Sequence, residues 1–125
     1  MSGITLDAGG LIALDRNDRR VIVLIAQAME CGMRVTVPAT ALAQAIRSPA
    51  KQARLSRLIR QAGTDLIRLD APDATAVGLL LAESGTSDIV DAHVAVCARR
   101  AGQVVATSDA DDLKRIAPKL RLVVI

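Results

Sequence analysis

Apolar positions along this chain fall into two kinds of pattern: brief continuous runs, and longer stretches in which they recur every three or four residues. The runs at 4–6, 33–37, 66–69, 104–107 and 120–125 are too short for helices and are bounded by Gly, Pro or Asp, so they predict five strands. Gly9-Gly10 follows the first run, and Leu11, Ile12 and Leu14 then suggest a short helix. Helical spacing next predicts a helix over about 18–31, capped by Asn17 or Asp18 and stopped by Gly32. Pro38 opens a short helix carrying Ala41, Leu42, Gln44, Ala45 and Ile46. Ser48-Pro49 predicts a new helix start, with Ser48 as N-cap and Gly63 as stop. Asp70 can cap a helix ending near Gly85, Ser87 one over 88–100 stopped by Gly102, and a last helix from about Asp109 ends before Pro118.

Strands separated by helices require crossover connections, and uninterrupted apolar strands belong to a parallel sheet covered on both faces. The expected class is therefore α/β: three layers, with a central, mostly parallel β-sheet flanked by helices. The chain has 125 residues, no internal repeat and no linker-like segment, so one domain over 1–125 is expected.

Composition changes this picture in two ways. Without Phe, Trp or Tyr the core must be packed from aliphatic side chains, and no aromatic ring can stack a nucleobase. A formal net charge of +3 and a pI near 9.4 are compatible with a polyanionic partner held by electrostatics. Cys31 and Cys97 lie in apolar helix-like stretches and are expected to be buried thiols. No basic leader and no membrane-length apolar run is evident, so a cytoplasmic location without membrane association is expected.

The chemistry is carried by acids. In an open parallel sheet, ligands bind where the strands end at their C-termini. Asp7 follows the first strand and Asp109 the fourth, while Asp88 and Asp91 share one face of a helix start. Singly, Asp7, Asp88 and Asp109 are each explained as helix caps. Asp91 is not, and carboxylates crowded together repel unless a hard divalent cation offsets the charge.

The segments Leu6-Asp7-Ala-Gly-Gly-Leu-Ile-Ala-Leu, Val37-Pro-Ala-Thr-Ala-Leu-Ala-Gln, Ser87-Asp-Ile-Val-Asp-Ala-His-Val-Ala and Ala106-Thr-Ser-Asp-Ala-Asp-Asp-Leu together resemble PIN-domain ribonucleases, and within them VapC-type toxins of toxin–antitoxin pairs. The resemblance implies a PIN-like fold and an endoribonuclease dependent on Mg²⁺ or Mn²⁺. Asp7, Asp91 and Asp109 would be its catalytic, metal-binding acids, Asp88 and Asp111 accessory metal ligands, and Thr107 or Ser108 a nearby hydroxyl. It further implies an RNA substrate, a cognate VapB-type antitoxin and a homodimer. Asp112 is expected on the helix surface.

One position departs from the family. Gln44 stands where these nucleases usually carry a glutamate; its amide can offer an oxygen to a cation but supplies no charge and no base. The alternative reading is thus a catalytically impaired PIN-like module that acts by binding antitoxin or RNA. His93 points about 200° away from Asp91 around a helix, which favours a structural role. Between Glu30 and Asp65 there is no acid, while Arg34, Arg47, Lys51, Arg54, Arg57 and Arg60 supply positive charge for an RNA backbone or an antitoxin. A receiver-like phospho-accepting domain is a third reading, disfavoured because no second acid stands beside Asp7.

Overall fold

The computed structural model describes residues 3–125; Met1 and Ser2, the first two residues of the expected domain, lie outside the described residues. The chain runs β1 (Gly3–Leu6), α1 (Ala8–Asp15), α2 (Arg19–Glu30), β2 (Arg34–Pro38), α3 (Ala39–Ala45), a 3-10 turn (Pro49–Lys51), α4 (Ala53–Arg60), β3 (Thr64–Ile67), α5 (Ala71–Ser84), α6 (Ile89–Ala101), β4 (Val104–Thr107), α7 (Ala110–Ile116) and β5 (Leu122–Val124). The strands form one sheet in the order β3-β2-β1-β4-β5. All four pairings among them are parallel. With helices on its faces, this is the expected three-layer α/β architecture.

Burial explains why the inner strands read as continuous apolar runs. Leu6, Val35, Val37, Val105 and Ala106 are fully buried, and Leu11, Val21 and Val94 pack onto the same core from the helices. A second, smaller cluster joins α5 to α6 and α7 through Val77, Leu80, Ala92, Ala95 and Ile116. No helix among the described residues is long and apolar enough to cross a membrane.

Five details differ from the sequence expectation. β3 begins two residues earlier than expected, at Thr64, because this edge strand is only partly buried and its polar Asp65 is matched by Arg34 across the β2–β3 pair. Ser48 caps nothing through its side chain, and Ser48-Pro49 opens only a single 3-10 turn. Its amide and that of Arg47 are instead taken by the Gln52 side chain, and α4 starts after Gln52. Asp88, not Ser87, is the N-cap of α6. The Gly9-Gly10 pair lies inside α1, not before it. Cys97 is buried as expected, but Cys31 is exposed, since it follows the last turn of α2 and sits beyond the core-facing Ala28.

Candidate active site

β1 and β4 are neighbours, and their register pairs Leu6 with Ala106, so the residues that follow each strand emerge side by side at one sheet edge. Asp7 leaves β1 and caps α1, its carboxylate accepting the Gly10 N–H at 2.7 Å. Asp109 leaves β4 and caps α7, accepting the Asp112 N–H at 3.5 Å. Asp88 caps α6 through the Asp91 N–H at 3.0 Å. The capping explanation is therefore true of all three, yet it does not exhaust their role, because the three capped helix starts converge.

Asp91 shows the convergence. Half-buried in the first turn of α6, its carboxyl is pushed up to about 6, first by burial and then by the negative charges of Asp88, Asp7, Asp112 and Asp109. Asp7 is itself raised, chiefly by burial with Asp109 adding to it, although hydrogen bonds from Thr107 and the Gly10 amide oppose the rise.

Two hydroxyls were candidates, and the structure separates them. Thr107 is fully buried, hydrogen-bonds the Asp7 carboxylate and accepts the Asp109 amide at 2.9 Å, so one hydroxyl joins both acids. Ser108 is exposed and lies against Gly9, where an added Cβ would come within 2.1 Å of its Oγ. A side chain at position 9 would therefore force the Ser108 hydroxyl to rotate away and the two segments to give by a few tenths of an ångström.

Not every candidate joins the cluster. From the first turn of α7 it is Asp112 that faces it: its carboxyl is hydrogen-bonded to Asp109 and raised by that contact and charge. Asp112 is exposed, as a surface residue should be, but it belongs with the acids. Asp111, beside it on α7, is exposed. The signal for Asp112 was present in the spacing, since Asp109 and Asp112 repeat the cap-plus-three pattern of Asp88 and Asp91. Gln44 is exposed on α3. Of the basic residues, Arg34 is committed to Asp65 by two hydrogen bonds of 3.0 and 2.7 Å. His93 is fully buried on α6, two residues beyond Asp91 and turned about 200° away from it around the helix, with its Nδ1 at 2.7 Å from the Thr40 hydroxyl of α3.

Away from the acids, Leu14, Ile22, Ile25, Met29 and Leu58 line an apolar groove between α2 and α4, rimmed by Arg54 and Arg57.

The PIN domain family model matches residues 4–119. No curated protein matches the chain. Among solved structures, VapBC2 from Rickettsia felis, described as bound to a DNA fragment from their promoter, superimposes with a TM-score of 0.68 at 15% identity, covering 98% of each chain. FitAcB from Neisseria gonorrhoeae superimposes with a TM-score of 0.57 at 17% identity, covering 95% of each chain. At these identities the likeness is one of fold.

Proposed function

Because the chain belongs to the PIN domain family, we propose that it is a single-domain, VapC-type endoribonuclease that requires Mg²⁺ or Mn²⁺ and is restrained by a VapB-type antitoxin. The observation that carries this reading is the Asp91 carboxyl, held at about 6 by burial and by four other acids. A fold gains nothing by collecting such charges, and the donor set of carboxylate oxygens fits a hard, oxygen-seeking cation better than a soft one.

Asp7, Asp91 and Asp109 would hold the cation, with Asp88 and Asp112 supplying further negative charge and Asp111 an outer acid. A bound divalent ion supplies two things to phosphodiester hydrolysis: neutralisation of phosphoryl charge and acidification of a water. The chain's own residues do the positioning. Thr107 fixes Asp7 and ties the Asp109 backbone to it, and the caps at Asp7, Asp88 and Asp109 lock each carboxylate to a helix start. No covalent enzyme intermediate is expected.

The arginine-rimmed apolar groove fits an amphipathic, acidic partner segment, which is the chemistry expected of an antitoxin's docking strand or helix. VapBC2 and FitAcB share the fold and support this reading of the partner. We further propose a homodimer, for which light scattering should report twice the 13.1 kDa chain mass; a monomer at high concentration would remove that element.

Gln44 favours the second reading, an impaired module. Both are tested by RNA cleavage with Mg²⁺, with Mn²⁺ and with chelator, on the parent and on Gln44→Glu. If Gln44 faces the pocket, the added charge should tighten Mn²⁺ binding roughly tenfold and raise cleavage at limiting metal, because charge-assisted ligation is about twice as strong as neutral ligation. Cleavage by neither protein under any metal condition would favour the binding module.

A further inference from the structure

A second cluster of ligating side chains lies toward the other end of α6. His93 and Cys97 are spaced i, i+4 on that helix and so share a face, and Asp73 of α5 meets them. One donor atom from each of the three lies within 4.8 Å of the others, and all three residues are buried. We propose that Asp73, His93 and Cys97 form a site for a thiophilic divalent cation, with Zn²⁺ as its natural occupant, separate from the carboxylate cluster.

The observation that points to a ligand is the His93 Nε2. It is fully buried and has no hydrogen-bond partner. Buried polar atoms are nearly always satisfied, so an orphan of this kind calls for a partner. The Asp73 carboxylate, at 3.7 Å, is too far to complete a hydrogen bond, and the Arg68 backbone does not complete one either. The opposite ring nitrogen is held by Thr40, which fixes the orientation of the ring as an outer partner does for a metal-bound histidine.

Geometry and access agree with this assignment. A tetrahedral zinc at ordinary ligand distances would hold sulfur, nitrogen and oxygen donors about 3.3–3.7 Å apart, so closing the site asks for shifts of about 1 Å. Cys97 also lines a surface cavity of about 260 Å³, together with Thr36, Arg100 and Gln103, which gives a route of entry on the cysteine side of the site. Without the cation, Asp73 is neutralised by Arg100 through short contacts. The Arg100 side chain is 56% exposed, so it can swing outward as the cation takes over its counter-charge. On binding, the Cys97 thiol proton leaves to solvent and the sulfur binds as thiolate. The two sites then sort metals by donor softness: oxygen donors take Mg²⁺ or Mn²⁺, and the sulfur–nitrogen set takes Zn²⁺. The second site fastens α5 to the helix that carries Asp91.

Cobalt titration of the reduced, full-length protein tests this. A thiolate-to-cobalt absorption band should saturate at one equivalent, be bleached by Zn²⁺, survive in Cys31→Ser and Asp91→Asn, and vanish in Cys97→Ser. His93→Ala should weaken cobalt binding at least roughly tenfold. Since Cys97 and His93 are buried and their variants could fail to fold, zinc-edge X-ray absorption on the unaltered protein gives an independent reading. One sulfur and one imidazole in the shell at one equivalent of Zn²⁺ supports the site. A shell of oxygen ligands alone, or a cobalt band lost in Cys31→Ser and kept in Cys97→Ser, overturns it.

Discussion

Asp91→Asn is expected to abolish RNA cleavage while making the metal-free protein more stable at neutral pH. The two effects have one cause. In the folded chain the Asp91 carboxyl titrates at about 6, against an ordinary value of 3.8, because it is desolvated and faces Asp88, Asp7, Asp112 and Asp109. The folded state therefore holds the proton more tightly than the unfolded state does. Between 3.8 and about 6 the folded chain binds more protons, so stability falls as pH rises through that window and stays lowered above it. The full shift would correspond to about 3 kcal/mol, but Asp91 is only half-buried, and solvent screening reduces the expected gain to about 1 kcal/mol. Denaturant unfolding of the metal-free proteins at pH 7.5 should show this gain in Asp91→Asn, and the difference should disappear toward pH 3.8. Mn²⁺ should reverse the order, stabilising the parent and not the variant. Cleavage should fall roughly a hundredfold or more with the loss of a metal-binding acid. A variant that keeps the parent's Mn²⁺ affinity would exclude Asp91 from the site.

Gln52→Ala should produce the largest loss of stability, though Gln52 touches no candidate catalytic residue. Its side chain is buried and organises the whole α3–α4 connection. The Oε1 accepts the amides of Arg47 at 2.8 Å and Ser48 at 3.0 Å, while the Nε2 donates to the Ala45 carbonyl at 3.1 Å and to Asp15 of α1 at 3.2 Å. One side chain thus closes the end of α3, supports the 3-10 turn and ties both to α1. Truncation to alanine leaves four polar partners unmatched, some of which can reach water. A cost of about 3 kcal/mol follows, or a fall in Tm of about 10 °C for a chain of this size. Since Arg54 and Arg57 stand on the helix that this connection launches, partner binding at the groove should weaken as well. A melting temperature within 2–3 °C of the parent, roughly, would mean that water replaces the network at little cost.

The sequence by itself determined the element order, the α/β class and the acids at the strand ends. These follow from local physics: apolar runs, helix-stop glycines and N-cap aspartates act over a few residues and are visible in the chain. It placed Asp7 and Asp109 at strand ends because burial in a parallel sheet leaves a readable signature in the runs that precede them, and the resemblance to PIN-domain ribonucleases added Asp91 to them. Edge strand β3 carried that signature only from Leu66 onward, because the strand is only partly buried and its Asp65 is answered by an arginine 31 residues away. Tertiary structure alone decided the rest. The pairs Asp70/Asp73, Asp88/Asp91 and Asp109/Asp112 share one local pattern, a cap and the residue three positions on, with the same backbone hydrogen bond. Asp91 and Asp112 are drawn into the acidic cluster by the adjacency of β1 and β4 and by the packing of α6 and α7. Asp73 meets Arg100, His93 and Cys97 because α5 lies against α6. Charge spacing within one helix turn says where a carboxylate starts, and only the packing of distant elements says what it faces.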